Sequence, residues 1–147
     1  FERILAVVRR HNQASPVVRG EYEPVECWEV RASGSAGPEV LRGRRLLAFA
    51  GIAHPQDFRR TLEQVGVRVI HFAEFPDHHW YSEEEVIHLA GQAGRSGAEG
   101  LVTTEKDWVR LSTLPSPSVP LWVLGIRLVL GDGLDRWRSL LLRPFRR

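Results

Sequence analysis

The sequence predicts an α/β fold: a mostly parallel sheet flanked by helices, Rossmann-like and three-layered, preceded by a strand and linker extension. Two observations carry that expectation. From residue 44 onward, short apolar runs alternate with segments whose apolar residues recur at helical spacing, the pattern of a parallel sheet wound with helices. Those runs are nearly continuous in hydrophobic residues, as in strands covered on both faces. With 147 residues, 43% hydrophobic and 26% charged, the chain is long enough to bury a core without cross-links.

Taken in order, "RILAVVRR" (Arg3 to Arg10) reads as a short β-type run. "VVRGEYEPVECWEV" (Val17 to Val30) alternates with period two, as a strand with one wet face does, and Pro24 is a candidate break within it. The Gly/Ser/Pro-rich segment Arg31 to Gly43 reads as a loop or linker. "RRLLAFAG" (Arg44 to Gly51) is a buried strand closed by glycine. A helix follows, with Pro55 in its first turn, Phe58, Leu62 and Val65 on one face, and Gly66 as its stop. Val67 to Phe72 is the next strand. Ser82 and Glu85 have capping-box spacing ahead of a helix whose apolar face is Val86, Leu89, Ala90 and Ala93. Gly100 to Thr104 is a third strand, and "TEKDWVRL" starts a short helix. Val119 to Gly133 supplies one or two further strands, and "LDRWRSLLL" a closing helix with Leu134, Trp137 and Leu141 on one side.

Composition narrows the function. Twenty basic residues against eighteen acidic leave a net charge of +2, so no basic face points to nucleic acid. The single cysteine, Cys27, rules out a disulfide or a thiolate metal cluster within the chain. No apolar run reaches the roughly 18 residues needed to cross a bilayer. The sequence has no methionine and starts on Phe1, within an apolar run, which leads us to expect a piece of a longer chain.

In a parallel sheet, ligands collect where strands end at their carboxyl side. Three polar segments fall there: "GIAHP", "EFPDHHWYS" and "TTEKD". Asp77, His78 and His79 admit three readings. They form a solvated loop, a carboxylate orienting an imidazole for acid–base work, or a metal trio. The metal reading needs further aspartates on earlier strands, in an Asp-x-Asp pattern, and none precedes residue 77. Thr104 and Asp107 have the spacing of a helix N-terminal cap, while Lys106 adds positive charge at the same helix end. Gly51 supports a tight turn, with neither a Walker A loop nor a dinucleotide fingerprint around it. His54 is an N-cap substitute or a ligand contact. The arginines at 136, 138, 143, 146 and 147 form a solvated face more readily than a contact with anionic lipid.

In order, "LLAFAGIAHPQDFRRTLEQVG", "FPDHHWYSEEEV" and "LVTTEKDWVRL" resemble one family over residues 46 to 111. They are similar to the carboxyl-terminal part of the tetraacyldisaccharide 4'-kinases, the lipid A 4'-kinases of Gram-negative bacteria. The resemblance implies transfer of phosphate from ATP, with Mg2+, to the 4'-hydroxyl of a tetraacyldisaccharide 1-phosphate. It implies a peripheral enzyme on the cytoplasmic face of the inner membrane, with the active site between two α/β lobes. The P-loop and Walker B acids belong to the amino-terminal lobe, and this chain carries neither. Residues 1–43 then hold inter-lobe strands and linker, and residues 44–147 the second lobe, inactive by itself. Carried onto this sequence, Asp77 and His78 are the catalytic pair, the histidine assisting an aspartate of the other lobe. His79 matches a less constrained position. Gly51, Thr104, Lys106 and Asp107 are cleft or supporting residues, no metal ligand is expected here, and the family's usual small polar residue at position 54 argues against a direct role for His54. Two other classes stand beside this reading: a non-catalytic α/β binding module and a metal-dependent phosphoesterase.

Overall fold

The computed structural model describes residues 2–131 and 133–142; Phe1 and the tail arginines 143, 146 and 147 lie outside the described residues. The elements are α1 (Glu2–His11), β1 (Gly20–Glu29), a 3-10 turn (Pro38–Leu41), β2 (Arg45–Ala50), α2 (Pro55–Val65), β3 (Arg68–Glu74), α3 (Glu83–Ser96), β4 (Gly100–Thr104), α4 (Glu105–Leu111), β5 (Leu121–Leu130) and α5 (Leu134–Leu141). Five strands form one sheet in the order β1-β5-β4-β2-β3. Strands β2 to β5 are parallel where they pair. At the edge, β1 runs antiparallel to β5, as the bonds from Val30 N–H to Leu121 O and from Gly131 N–H to Arg19 O require. The chain divides into two compact units, Glu23–Arg127 and Phe1–Tyr22 with Leu128–Arg147.

The Glu23–Arg127 unit holds the core. Side chains alternate along β2, so Leu46, Ala48 and Ala50 join Phe58, Leu62 and Val65 of α2 on one face. Leu47 and Phe49 meet Val86, Leu89, Ala90 and Ala93 of α3 on the other. Helix, sheet and helix thus form the three expected layers, each fully buried leucine contributing about 1.5–3 kcal/mol. The helix ends follow their local signals. Pro55 opens α2 and Gly66, at φ 95°, closes it. The full capping box of Ser82 and Glu85 starts α3. His54 occupies the N-cap position of α2, yet its side chain makes no capping bond.

In the other unit, α1 and α5 bury no residue. Here the expected strand at Arg3 to Arg10 is a helix instead. Ile4, Val7 and Val8 share one face at spacings of three and four, Glu2 lies in the first turn, and Arg9, Arg10 and His11 lie in the last. That charge order suits the helix dipole and outweighs the β-branched run. Pro24 does not break β1, because an edge strand tolerates the missing donor. Likewise Leu121–Leu130 is one strand, buried over its first five residues and exposed over its last five.

Candidate active site

The loop after β2 leads to α2 on one face of the sheet and that after β4 to α4, which packs with α3 on the other, so the two loops part company between these neighbouring strands. Such a switch point leaves an opening at the strand ends where open α/β sheets take their ligands. Here the chain fills it with its own carboxylate. Asp107 is fully buried. Both its oxygens lie 3.2 Å from the Gly51 N–H that donates to them. The Thr104 hydroxyl donates to Asp107 Oδ2 at 2.7 Å and accepts the Asp107 N–H at 3.1 Å, the capping bond expected from spacing. Beside it, the Thr103 hydroxyl donates to the Phe49 carbonyl at 3.0 Å, tying β4 to β2.

Gly51 is needed for close approach. A Cβ there would sit 3.0 Å from His79 Cβ and 3.1 Å from both the Pro76 carbonyl and the Tyr81 hydroxyl. Its own carbonyl accepts the His78 N–H at 3.1 Å, and the Ala50 carbonyl accepts Phe75 N–H at 2.9 Å. The first loop therefore holds the second, while Asp107 holds the first. Tyr81 packs under this junction, edge-on to Phe49, Phe75 and His79. Its buried hydroxyl lies near Asp107 but in no hydrogen-bond geometry. Burial first, and then the Asp107 carboxylate, push it above the usual phenol range.

The Asp-His-His string divides into an outer and an inner part. His79 turns inward. Its Nε2 is 3.0 Å from both Glu85 oxygens, and its ring stacks on Phe75 at 4.8 Å. Glu85 also accepts the Ser82 N–H at 2.8 Å. That backbone bond, followed by His79, holds the Glu85 carboxyl below its ordinary range. His79 thus binds the loop to the cap of α3 and is a structural histidine. His78 turns outward, with its side chain 77% exposed and Asp77 Oδ2 at 3.7 Å from its Nε2. Its φ is 62°, a left-handed conformation costing on the order of 1–3 kcal/mol in a non-glycine residue and sustained here by the Gly51 bond. Nδ1 of His78 meets Nη2 of Arg110 at 2.9 Å.

The structure therefore brings Gly51, Thr104 and Asp107 into one buried junction and sets Asp77 and His78 on its outer side. Lys106 and His54 are exposed. Among the described residues, no group of three His, Cys, Asp or Glu side chains is arranged to hold a metal ion. The sequence reading overlooked Arg110, which lies one helical turn after Asp107, a spacing that signals an i,i+3 pair. Tyr81 likewise carries no sequence signal beyond its place in the loop.

A family model described as LpxK, tetraacyldisaccharide-1-P 4'-kinase, matches residues 3–144. The tetraacyldisaccharide 4'-kinase of Syntrophus aciditrophicus (strain SB) is 34% identical over 116 residues, covering 79% of this chain and 31% of that protein. The enzyme of the same name from Mesorhizobium japonicum is 42% identical over 151 residues, 94% of this chain and 41% of its own length. A crystal structure of LpxK from Aquifex aeolicus in complex with ATP shares the fold, with a TM-score of 0.56 and 22% identity over 90% of this chain and 38% of that one. The chain spans about a third of the length of the curated relatives it matches.

Proposed function

This chain belongs to the tetraacyldisaccharide-1-P 4'-kinase family, and from that premise we propose that it is the carboxyl-terminal lobe of an ATP-dependent lipid kinase. The acceptor is the 4'-hydroxyl of a tetraacyldisaccharide 1-phosphate, and the work is done at the cytoplasmic face of the inner membrane. Residues 1–43, with α1, β1 and the 3-10 turn, carry the inter-lobe segment and linker, and residues 44–147 form the lobe. No described helix is long and apolar enough to cross a membrane.

One observation carries the division of labour. Asp107 occupies the Gly51 amide at the switch point, so the position at which such a sheet would grip a phosphate already holds an anion. The switch point of this lobe thus offers no free Gly51 amide to the phosphates of ATP. ATP and Mg2+ are assigned to the amino-terminal lobe. What this lobe offers is the outward pair Asp77 and His78, with Lys106 exposed on α4, the helix whose Arg110 meets His78. In the reaction, the hydroxyl oxygen bonds to the γ-phosphorus as its O–H bond breaks, and ADP departs with the electrons of the broken P–O bond. The released proton passes to a carboxylate that His78 supports.

The test is turnover of the complete enzyme. His78→Ala should lower kcat by roughly 10- to 1000-fold. An unchanged rate would return His78 to a loop residue. The isolated chain should transfer no phosphate from ATP to the lipid acceptor.

A further inference from the structure

Arg110 is the residue that the catalytic reading leaves unused, and its placement has a chemical consequence. Its side chain is only 16% exposed, with Nη1 3.7 Å from the buried Asp107 carboxylate and 3.4 Å from the Lys106 carbonyl. Nη2 reaches across to His78 Nδ1 at 2.9 Å, bridging residues 32 apart in the chain. A guanidinium has five N–H donors and no acceptor. At that distance Nδ1 must present its lone pair, so the proton of the neutral imidazole resides on Nε2. Asp77 Oδ2, at 3.7 Å, is too far to take that N–H in a normal hydrogen bond.

We propose that Arg110 is a positioning residue that fixes His78 as the Nε2–H tautomer, so that the lobe presents an N–H donor to the carboxylate that His78 supports. Gly51, Asp107, Arg110 and His78 then form one chain of contacts from the switch point to the outer loop. The buried acid orients the guanidinium, and the guanidinium orients the ring. In the proposed reaction, His78 hydrogen-bonds the carboxylate that accepts the hydroxyl proton and does not accept the proton itself. This rests on His78 taking part in catalysis, but the tautomer can be measured apart from activity.

The experiment is imidazole 15N NMR on this chain at a pH where the His78 ring is neutral. In the wild type, His78 should show an unprotonated Nδ1 and a protonated Nε2. Arg110→Met keeps much of the aliphatic stem and should release the ring into a mixture of tautomers, while Arg110→Lys should restore the single form. A wild-type ring protonated at Nδ1 would overturn the proposal even if neither variant folds, and so would the same tautomer population in wild type and a folded Arg110→Met. In the complete enzyme, Arg110→Met should lower kcat about tenfold with KM little changed, and Arg110→Lys should recover most of it. If His78→Ala leaves turnover intact while the tautomer is as described, the catalytic reading fails and the placement of Arg110 stands.

Discussion

Helices α1 and α2 are built alike and end differently. Each is amphipathic, with apolar residues at spacings of three and four. In α2, Phe58, Leu62 and Val65 disappear into the core, whereas in α1 Ile4 and Val7 stay 69% and 61% exposed. Strand β5 makes the same contrast within ten residues, buried from Leu121 to Gly125 and exposed from Ile126 to Leu130. A pattern of apolar residues specifies an element and the face it wants covered. Whether anything covers that face depends on what the rest of the polypeptide brings to it.

The contrast can be broken by mutation, and the largest effect belongs to the core. Leu62→Ala should cost about 2–5 kcal/mol, read by urea denaturation, because a fully buried side chain leaves a cavity between α2 and the sheet. The Cys27 thiol gives a second readout. Burial pushes it up to about 11, with Arg44 pulling the other way, so alkylation at neutral pH should be slow until this unit opens. A weak response to Leu62→Ala would mean that the two regions differ less than their burial indicates.

An intermediate effect is expected at the loop bearing the candidate pair. The Glu85 carboxyl is depressed below its ordinary 4.5 in the folded state, so its contribution is complete above that value and lost as pH falls through the folded pKa. Stability measured from pH 6 down to pH 3 should therefore fall less steeply in Glu85→Gln than in the wild type. Equal slopes would remove Glu85 and His79 from the account of what holds the loop. The smallest effect is expected in α1, where Ile4→Ala should change stability by no more than about 0.5 kcal/mol. A loss near that of Leu62→Ala would show that α1 has a covered face after all.

Local signals were readable where the physics is local. The capping box at Ser82, the cap at Thr104, and the proline and glycine bounding α2 each depend on residues within a few positions. Arg3 to Arg10 misled because "ILAVV" satisfies strand preference, while the helix reading needed the order of charges at both ends. Asp107 was legible as a cap residue but not as the acceptor of an amide 56 positions earlier. In the same way, nothing adjacent in sequence separates His78 from His79. His79 meets Glu85, six positions on in the helix that follows the loop, whereas the partner of His78 is Arg110, 32 positions away on a helix that reaches the loop only after folding.

By itself, then, the sequence determined the α/β fold with its mostly parallel sheet, the alternation of its elements, the strand ends on which its polar loops gather, and the family resemblance. Those follow from hydrophobic period, capping spacing and motif order, all short-range properties of a chain. Tertiary structure decided that a buried carboxylate closes the switch point, which histidine faces outward, and which ring nitrogen is free. Hydrogen bonds between distant residues set these features, and their geometry exists only once the layers have packed.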